Sequence, residues 1–159
     1  MKKFSQLIQE CLERVEEIFP WDLEEKLGQE NKPLLIDVRE PKEFEAMHIE
    51  NSINAPRGIL ETCCEYDFDD TIPELVEARD KEVVVICRSG NRSVFAADVM
   101  QQMGYKNVVS LKTGLRGWND SELPLTSSLI KTINIDEADA FFTPKLKPEQ
   151  LTPKYSYKQ

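Results

Sequence analysis

The chain has 159 residues, 40% of them hydrophobic and 31% charged, enough for one buried core and too ordinary a mixture for a disordered or fibrous protein. Twenty lysines and arginines against twenty-nine acids leave a formal charge of −9, which argues against binding nucleic acid or lying on an anionic membrane. Four cysteines, at 11, 63, 64 and 87, show neither metal-ligand spacing nor a disulfide framework and read as reduced thiols. Gln6, Gln9, Glu10, Glu13 and Arg14 interrupt any N-terminal apolar stretch, so a secretory signal or membrane span is not expected and a cytoplasmic location is.

In chain order, Phe4, Leu7, Ile8, Cys11, Leu12 and Val15 recur at helical spacing and predict an amphipathic helix. Its apolar stripe is expected to pack on the chain's own core as an extra layer, with Cys11 inert on the buried side. Glu16 to Phe19 reads as a short strand. Pro20-Trp21-Asp22 opens a helix that Gly28 closes, proline early and glycine late. Leu34 to Val38 is a buried strand, Pro41 to Glu45 a helical turn, and Ser52 to Asn54 a short third strand. A long connection from Thr62 to Lys81 holds an acidic, solvated stretch and a helix over Pro73 to Arg79.

The chain is organised around Val83-Val84-Val85-Ile86-Cys87-Arg88-Ser89-Gly90-Asn91-Arg92-Ser93. Its β-branched run, with charge on neither face, is a strand buried on both sides, as in a parallel sheet. Val94, Ala97, Met100 and Met103 then fall at helical spacing, so a short polar loop separates a strand ending at a cysteine from a helix N-terminus. A thiol at the positive end of a helix with Arg88 and Arg92 beside it has the surroundings that favour a thiolate nucleophile. Downstream, Gly104 ends the helix, Val108 to Leu111 forms the last strand, and Gly114 and Gly117 allow a tight approach for Trp118, read as a core residue. Asp136 to Phe142 is a candidate helix. Pro144, Pro148 and Pro153 among lysines give an extended end that either docks on the domain or binds another chain.

The run from Cys87 to Ser93 resembles the active-site loop of rhodaneses, sulfurtransferases that carry a sulfane sulfur as a cysteine persulfide. Leu35-Ile36-Asp37-Val38-Arg39-Glu40 with Glu43-Phe44 and His48-Ile49 is similar to the Asp-Val-Arg signature of that family, and Ile53-Asn54-Ala55-Pro56 continues the match. Gly104-Tyr105, Val108-Val109, Leu111, Gly114 and Gly117-Trp118 resemble its closing motif, so four ordered blocks span Ile18 to Trp118. The resemblance implies a three-layer α/β fold, a central, mostly parallel sheet of about five strands flanked by helices. The expected organisation is an N-terminal helical extension over 1–15, a rhodanese-like domain over 16–124 and a C-terminal extension over 125–159. It further implies a two-step transfer from an anionic donor such as thiosulfate, through a Cys87 persulfide, to a thiol, cyanide or a sulfur-carrier protein. No metal or organic cofactor is needed for that chemistry.

In this reading Cys87 is the nucleophile. The backbone N–H groups of Arg88, Ser89, Gly90, Asn91, Arg92 and Ser93 surround the sulfur, the two arginines attract the donor, and the hydroxyls of Ser89 and Ser93 offer hydrogen bonds. Arg57, just past the third strand, is a candidate substrate contact because ligands gather at the carboxyl ends of parallel strands; the alternative for it is a surface ion pair. Asp37 and Arg39 are expected to be structural, and His48 packed or hydrogen-bonded away from the sulfur. Met47 and Asn51 stand where the family commonly has glycine. Cys63-Cys64 poses a choice between a thiol that accepts sulfur from Cys87 and two unrelated thiols, and the second is favoured.

Two rivals share the architecture. Cysteine phosphatases and arsenate reductases place an arginine after five residues that follow the cysteine, where this chain has Ser93, with Arg92 one position early. A non-catalytic regulatory module of the same fold is the other.

Overall fold

The computed structural model describes residues 1–129 and 132–152. Helix α1 spans Phe4–Leu12, and β1 (Glu17–Ile18) leads into α2 (Pro20–Leu27). Then come β2 (Leu34–Asp37), α3 (Pro41–Ala46) and β3 (Ile53–Asn54). A 3-10 turn at Arg57–Ile59 runs into α4 (Leu60–Cys63), followed by α5 (Pro73–Val76), β4 (Glu82–Ile86) and α6 (Arg92–Gln102). The order closes with β5 (Asn107–Leu111), α7 (Gly114–Asp120), α8 (Ile135–Phe142) and a 3-10 turn at Pro148–Gln150.

The strands form one parallel sheet in the order β1-β5-β4-β2-β3, as the expected α/β architecture requires. The β-branched strand β4 is central because only a strand flanked on both edges and covered on both faces buries every side chain, and Val83 through Ile86 have no exposed surface. Alternation then divides the core. Val83, Val85 and Cys87 join Ile36, Val38, Val94, Ala97 and Met100 on the α6 side. Val84 and Ile86 join Leu35, Leu111, Leu115, Trp118 and Phe142 on the other.

Both extensions pack on this core. Arg14 donates to both carboxylate oxygens of Asp98 on α6, at 2.8 and 3.1 Å, the Phe4 and Phe95 rings lie 6.1 Å apart, and Cys11 is buried. Helix α1 therefore adds a layer through Cys11 and Arg14, while Phe4 and Leu7 of the expected stripe stay exposed. At the other end, α8 buries Ala138 and Phe142, and Asn119 Nδ2 of α7 donates to Asp139 Oδ1 at 2.6 Å. Pro153 lies outside the described residues. Among those residues no helix is long and apolar enough to cross a membrane.

Several elements differ from the sequence expectation. Gly114 and Gly117 lie in a helix, α7, because Thr113 in the left-handed region (φ 65°) reverses the chain and lets α7 start at Gly114. The helix expected over Pro73 to Arg79 stops at Val76, and α4 was not anticipated in the connection before it. Asn51 takes the left-handed conformation (φ 64°) that glycine would supply. Met47 needs no such freedom, since its backbone is extended and its side chain is 6% exposed in the core.

Candidate active site

Cys87 is the first residue past β4, at the carboxyl edge of the sheet, where parallel strands open into ligand-binding loops. Its backbone is fastened from the far side by α7: Leu115 N donates to the Cys87 carbonyl and Arg116 N to the Arg88 carbonyl, both at 2.9 Å. A Cβ on Gly114 would lie 2.5 Å from the Cys87 carbonyl oxygen, and one on Gly90 would lie 2.9 Å from Thr113 N. Both glycines have positive φ, so the close approach of loop and helix requires residues without side chains.

This folding brings Gly90, Ser93 and Ser110 to the sulfur. Gly90 N donates to Cys87 Sγ at 3.1 Å, Ser93 Oγ lies 3.2 Å from Sγ, and Ser110 Oγ donates to Ser93 Oγ at 2.7 Å. With the Ser110 hydroxyl donating to Ser93 Oγ, the Ser93 hydroxyl can donate to a thiolate at Cys87. A thiolate at Cys87 is within reach of one N–H, from Gly90, and one hydroxyl, from Ser93. Among the described residues Gly90 is the loop amide that donates to the sulfur, where the sequence reading had the amides from Arg88 to Ser93 surrounding it. Ser110 was not anticipated. Its signal is a hydroxyl inside the apolar strand Val108-Val109-Ser110-Leu111, and buried hydroxyls need partners.

Cys87 is 1% exposed, so the sulfur lies at the floor of the loop while Ser89 and Asn91 face solvent. Neither loop arginine touches it. Arg88 Nη2 donates to the Phe142 carbonyl at 2.6 Å, and Arg92 forks onto Glu43 through Nη1–Oε2 at 2.8 Å and Nη2–Oε1 at 2.9 Å. The Arg92 guanidinium holds the Glu43 carboxyl below the usual carboxylate range. Glu43 in turn raises Arg92, with a weaker contribution from Cys87, so guanidinium and sulfur are electrostatically coupled without contact. Glu43 was not singled out as a site residue; its local signal is the capping box it forms with Glu40 at the start of α3. Arg57 Nη1 lies 2.7 Å from Glu61 Oε1, the geometry of the ion-pair alternative.

Asp37 and Arg39 form a fully buried ion pair. Arg39 donates to Asp37 from its backbone N (3.0 Å), Nε (3.0 and 3.1 Å) and Nη2 (2.9 Å), and Nη2 also reaches the Met47 carbonyl at 2.6 Å. The pair ties the end of β2 to the loop after α3, a structural role. His48 Nδ1 donates to the Phe44 carbonyl at 2.7 Å and its ring stacks on Phe44 at 3.9 Å, so it is packed and hydrogen-bonded.

The remaining thiols are in the core. Cys63 and Cys64 are buried and free, and burial pushes Cys63 up to about 11 and raises Cys64 too. Protonated, buried thiols are poor exchange partners. A Cys63→Ala, Cys64→Ala protein is expected to keep sulfur-transfer turnover within about twofold of wild type while losing about 1 kcal/mol per site in urea unfolding. A tenfold drop in turnover at unchanged folding would assign one of them to the chemistry.

A cavity of about 560 Å³ lies elsewhere, among Leu27, Leu34, Ile49, Trp118 and Leu125 near the start of β2. Among the described residues no cysteine, serine or histidine lines it and no cluster of potential metal ligands is found.

The "Putative thiosulfate sulfurtransferase, mitochondrial" of Schizosaccharomyces pombe is 35% identical over 63% of this chain and 72% of its own length. A sulfurtransferase of Allochromatium vinosum is 30% identical over 71% of this chain and 96% of its own length. The chain spans about half the length of other curated relatives, 45% and 56% in two cases. Among solved structures, a rhodanese-related protein of Thermoplasma volcanium is 32% identical with TM-score 0.56, covering 69% of this chain and 96% of that one. A Rhodopseudomonas palustris protein of unknown function, described as a "Possible Tyrosine Phosphatase", is 28% identical with TM-score 0.69, covering 78% of this chain and 94% of that one. The family model for the rhodanese-like domain matches residues 20–121, with β4, Cys87, the loop and α6 all inside the match; the chain belongs to the rhodanese-like sulfurtransferase family.

Proposed function

We propose that the protein moves a sulfane sulfur from a donor such as thiosulfate to a thiol or cyanide acceptor, through a persulfide on Cys87. The observation that carries this reading is the sulfur itself, held at a strand end with Gly90 N–H at 3.1 Å and the Ser93 hydroxyl at 3.2 Å. In the first half-reaction the Cys87 thiolate attacks the outer sulfur of thiosulfate. The new S–S bond forms as the old one breaks, and sulfite leaves with the bonding pair. In the second, an acceptor thiolate or cyanide attacks the outer sulfur of the persulfide and Cys87 departs as thiolate. Both steps begin or end on that anion, so fixed donors from Gly90 and Ser93 stabilise the charge wherever it sits. Ser89 and Asn91, exposed on the loop, are the residues an incoming donor or a sulfur-carrier protein meets first.

The phosphatase reading lacks its anion clamp. Ser93 occupies the place of the arginine and points at sulfur, while Arg92 is turned onto Glu43. The test is intact-protein mass spectrometry after incubation with a sulfane donor. A one-sulfur gain on Cys87 that is discharged by a thiol or cyanide is the expected result. No gain from any donor would favour a non-catalytic module, and hydrolysis of an aryl phosphate without sulfur loading would favour a phosphatase.

A further inference from the structure

The register of the sheet carries two further residues to the level of the sulfur-bearing cysteine. Ser110 on β5 pairs with Glu17 of β1 on one side and with Val85 of β4 on the other, so Phe19, Lys112 and Cys87 leave the carboxyl edge in a row. Neighbouring strands lie about 4.8 Å apart, which puts the Phe19 backbone roughly 10 Å from that of Cys87. Printed contacts along the row make it continuous: Lys112 N donates to the Ile18 carbonyl at 2.9 Å, and Gly90, whose N–H meets the sulfur, packs so closely that an added Cβ would lie 2.9 Å from Thr113 N and 3.2 Å from the Leu111 carbonyl oxygen.

An aromatic pair stands at one end of this row. Phe19 and Trp21 are 39% and 56% exposed, their rings stack with centroids 4.7 Å apart, and Lys112 Nζ lies 4.9 Å from the centre of the Phe19 ring. Uncommitted cations gather beside it, in a chain whose net charge is −9. Lys112 and Arg116 are exposed and in no ion pair among the described residues, and Arg116 N donates to the Arg88 carbonyl, which ties it to the loop. Arg88 meets the neutral Phe142 carbonyl and keeps its charge. Asp22, beside Trp21, and Asp120, one turn after Arg116, pair with none of these cations.

Thiosulfate and cyanide have nothing to lay on two aromatic rings, so a surface of this kind suits a macromolecular partner. Resting on the sulfur-transfer reading, we infer that Phe19, Trp21, Lys112 and Arg116 form the docking surface for a protein acceptor that presents its thiol in an acidic segment with a large apolar side chain. The apolar side chain lies on the stacked rings, carboxylates meet Lys112 and Arg116, and the thiol enters the loop beside exposed Ser89. The acceptor thiolate R–S⁻ attacks the outer sulfur of the Cys87 persulfide. The R–S–S bond forms, the bond from that sulfur to Sγ breaks, and Cys87 leaves as thiolate with the electron pair while the proton stays on the transferred sulfur. The products are R–S–SH and Cys87–S⁻, with no oxidant or reductant consumed.

The test uses the full-length protein, with Cys87 loaded from thiosulfate or from glutathione persulfide, and two capped heptapeptide acceptors. Each peptide has a central cysteine and a leucine, and they differ in carrying aspartates or lysines at the same three positions. Every transfer rate is divided by the rate of that peptide with dithiodipyridine, a neutral disulfide, which removes differences in thiol ionisation. The net charge of −9 by itself favours the lysine peptide. Wild type is expected to prefer the aspartate peptide at least about fivefold, with the preference fading as ionic strength rises. Lys112→Glu with Arg116→Glu is expected to bring the ratio to about one or below, and Trp21→Ala to raise KM for the aspartate peptide about threefold or more with kcat moved less. A lysine peptide that is equal or faster in wild type, a ratio unmoved in the folded double variant, or a KM unmoved by Trp21→Ala would overturn the inference and leave the sulfur-transfer reading intact. Failure of Cys87 to load from either donor would overturn both.

Discussion

A Cys87→Ser protein is expected to show no sulfur transfer, at least about 10³-fold below wild type, and no one-sulfur mass gain with any donor. Serine is close to isosteric and can keep the contacts to Gly90 N and Ser93 Oγ, so the fold should persist with an unchanged unfolding midpoint. What disappears is the atom. An alkoxide is not accessible at neutral pH and an oxygen cannot hold the sulfane sulfur as a persulfide, whereas a thiolate can do both. Residual turnover above about 1% of wild type would mean that another group takes the sulfur, and the buried, protonated Cys63 and Cys64 are poorly suited to that.

The largest stability effect is expected from the buried pair at the end of β2. Asp37→Asn keeps the side-chain volume but leaves the Arg39 guanidinium buried without its counter-charge, and breaking such a pair costs about 3–5 kcal/mol. The expected reading is a matching fall in the free energy of urea unfolding. Arg39 makes the loss steep because it has no exposed surface and its Nη1 already lacks a hydrogen-bond partner among the described residues. The strain also reaches the site. Asp37 lies opposite Ile86 in the sheet, Val38 N donates to the Ile86 carbonyl at 2.9 Å, and Cys87 is the next residue. A loss below about 1 kcal/mol would show that the carboxylate is not needed as a counter-charge. Replacing both partners, Asp37→Leu with Arg39→Met, is expected to cost less than Asp37→Asn alone, since no buried charge remains.

The parts legible in the sequence are those encoded by neighbours along the chain. An uninterrupted β-branched run can only be satisfied in the middle of a covered parallel sheet, and β4 is there. The stripe of α1, Pro20 opening α2 and the asparagine turn at Asn51 follow from 3.6-residue periodicity and backbone sterics. Cys87 stood out for the same reason, as a thiol caught between an apolar strand and a helix start. Helix α7 escaped because its start depends on Thr113 adopting a left-handed conformation, a choice imposed by the packing of Gly90 and Gly114 against each other's neighbours.

Side-chain partnership across the fold was decided by tertiary structure alone. Arg88 and Phe142 are 54 residues apart, Arg92 and Glu43 are 49 apart, and Ser93 and Ser110 are 17 apart. Nothing local distinguishes an arginine that will face a substrate from one that a distant carboxylate or carbonyl will claim. A cation goes to whichever acceptor the packed elements set within its reach, and that choice is made only when the sheet closes. The sequence by itself determined that a cysteine would be presented at the end of a central strand. The three-dimensional arrangement determined that Arg88 would be drawn onto a distant carbonyl and Arg92 onto a distant carboxylate, and that serines of α6 and the adjacent strand would be brought to the sulfur.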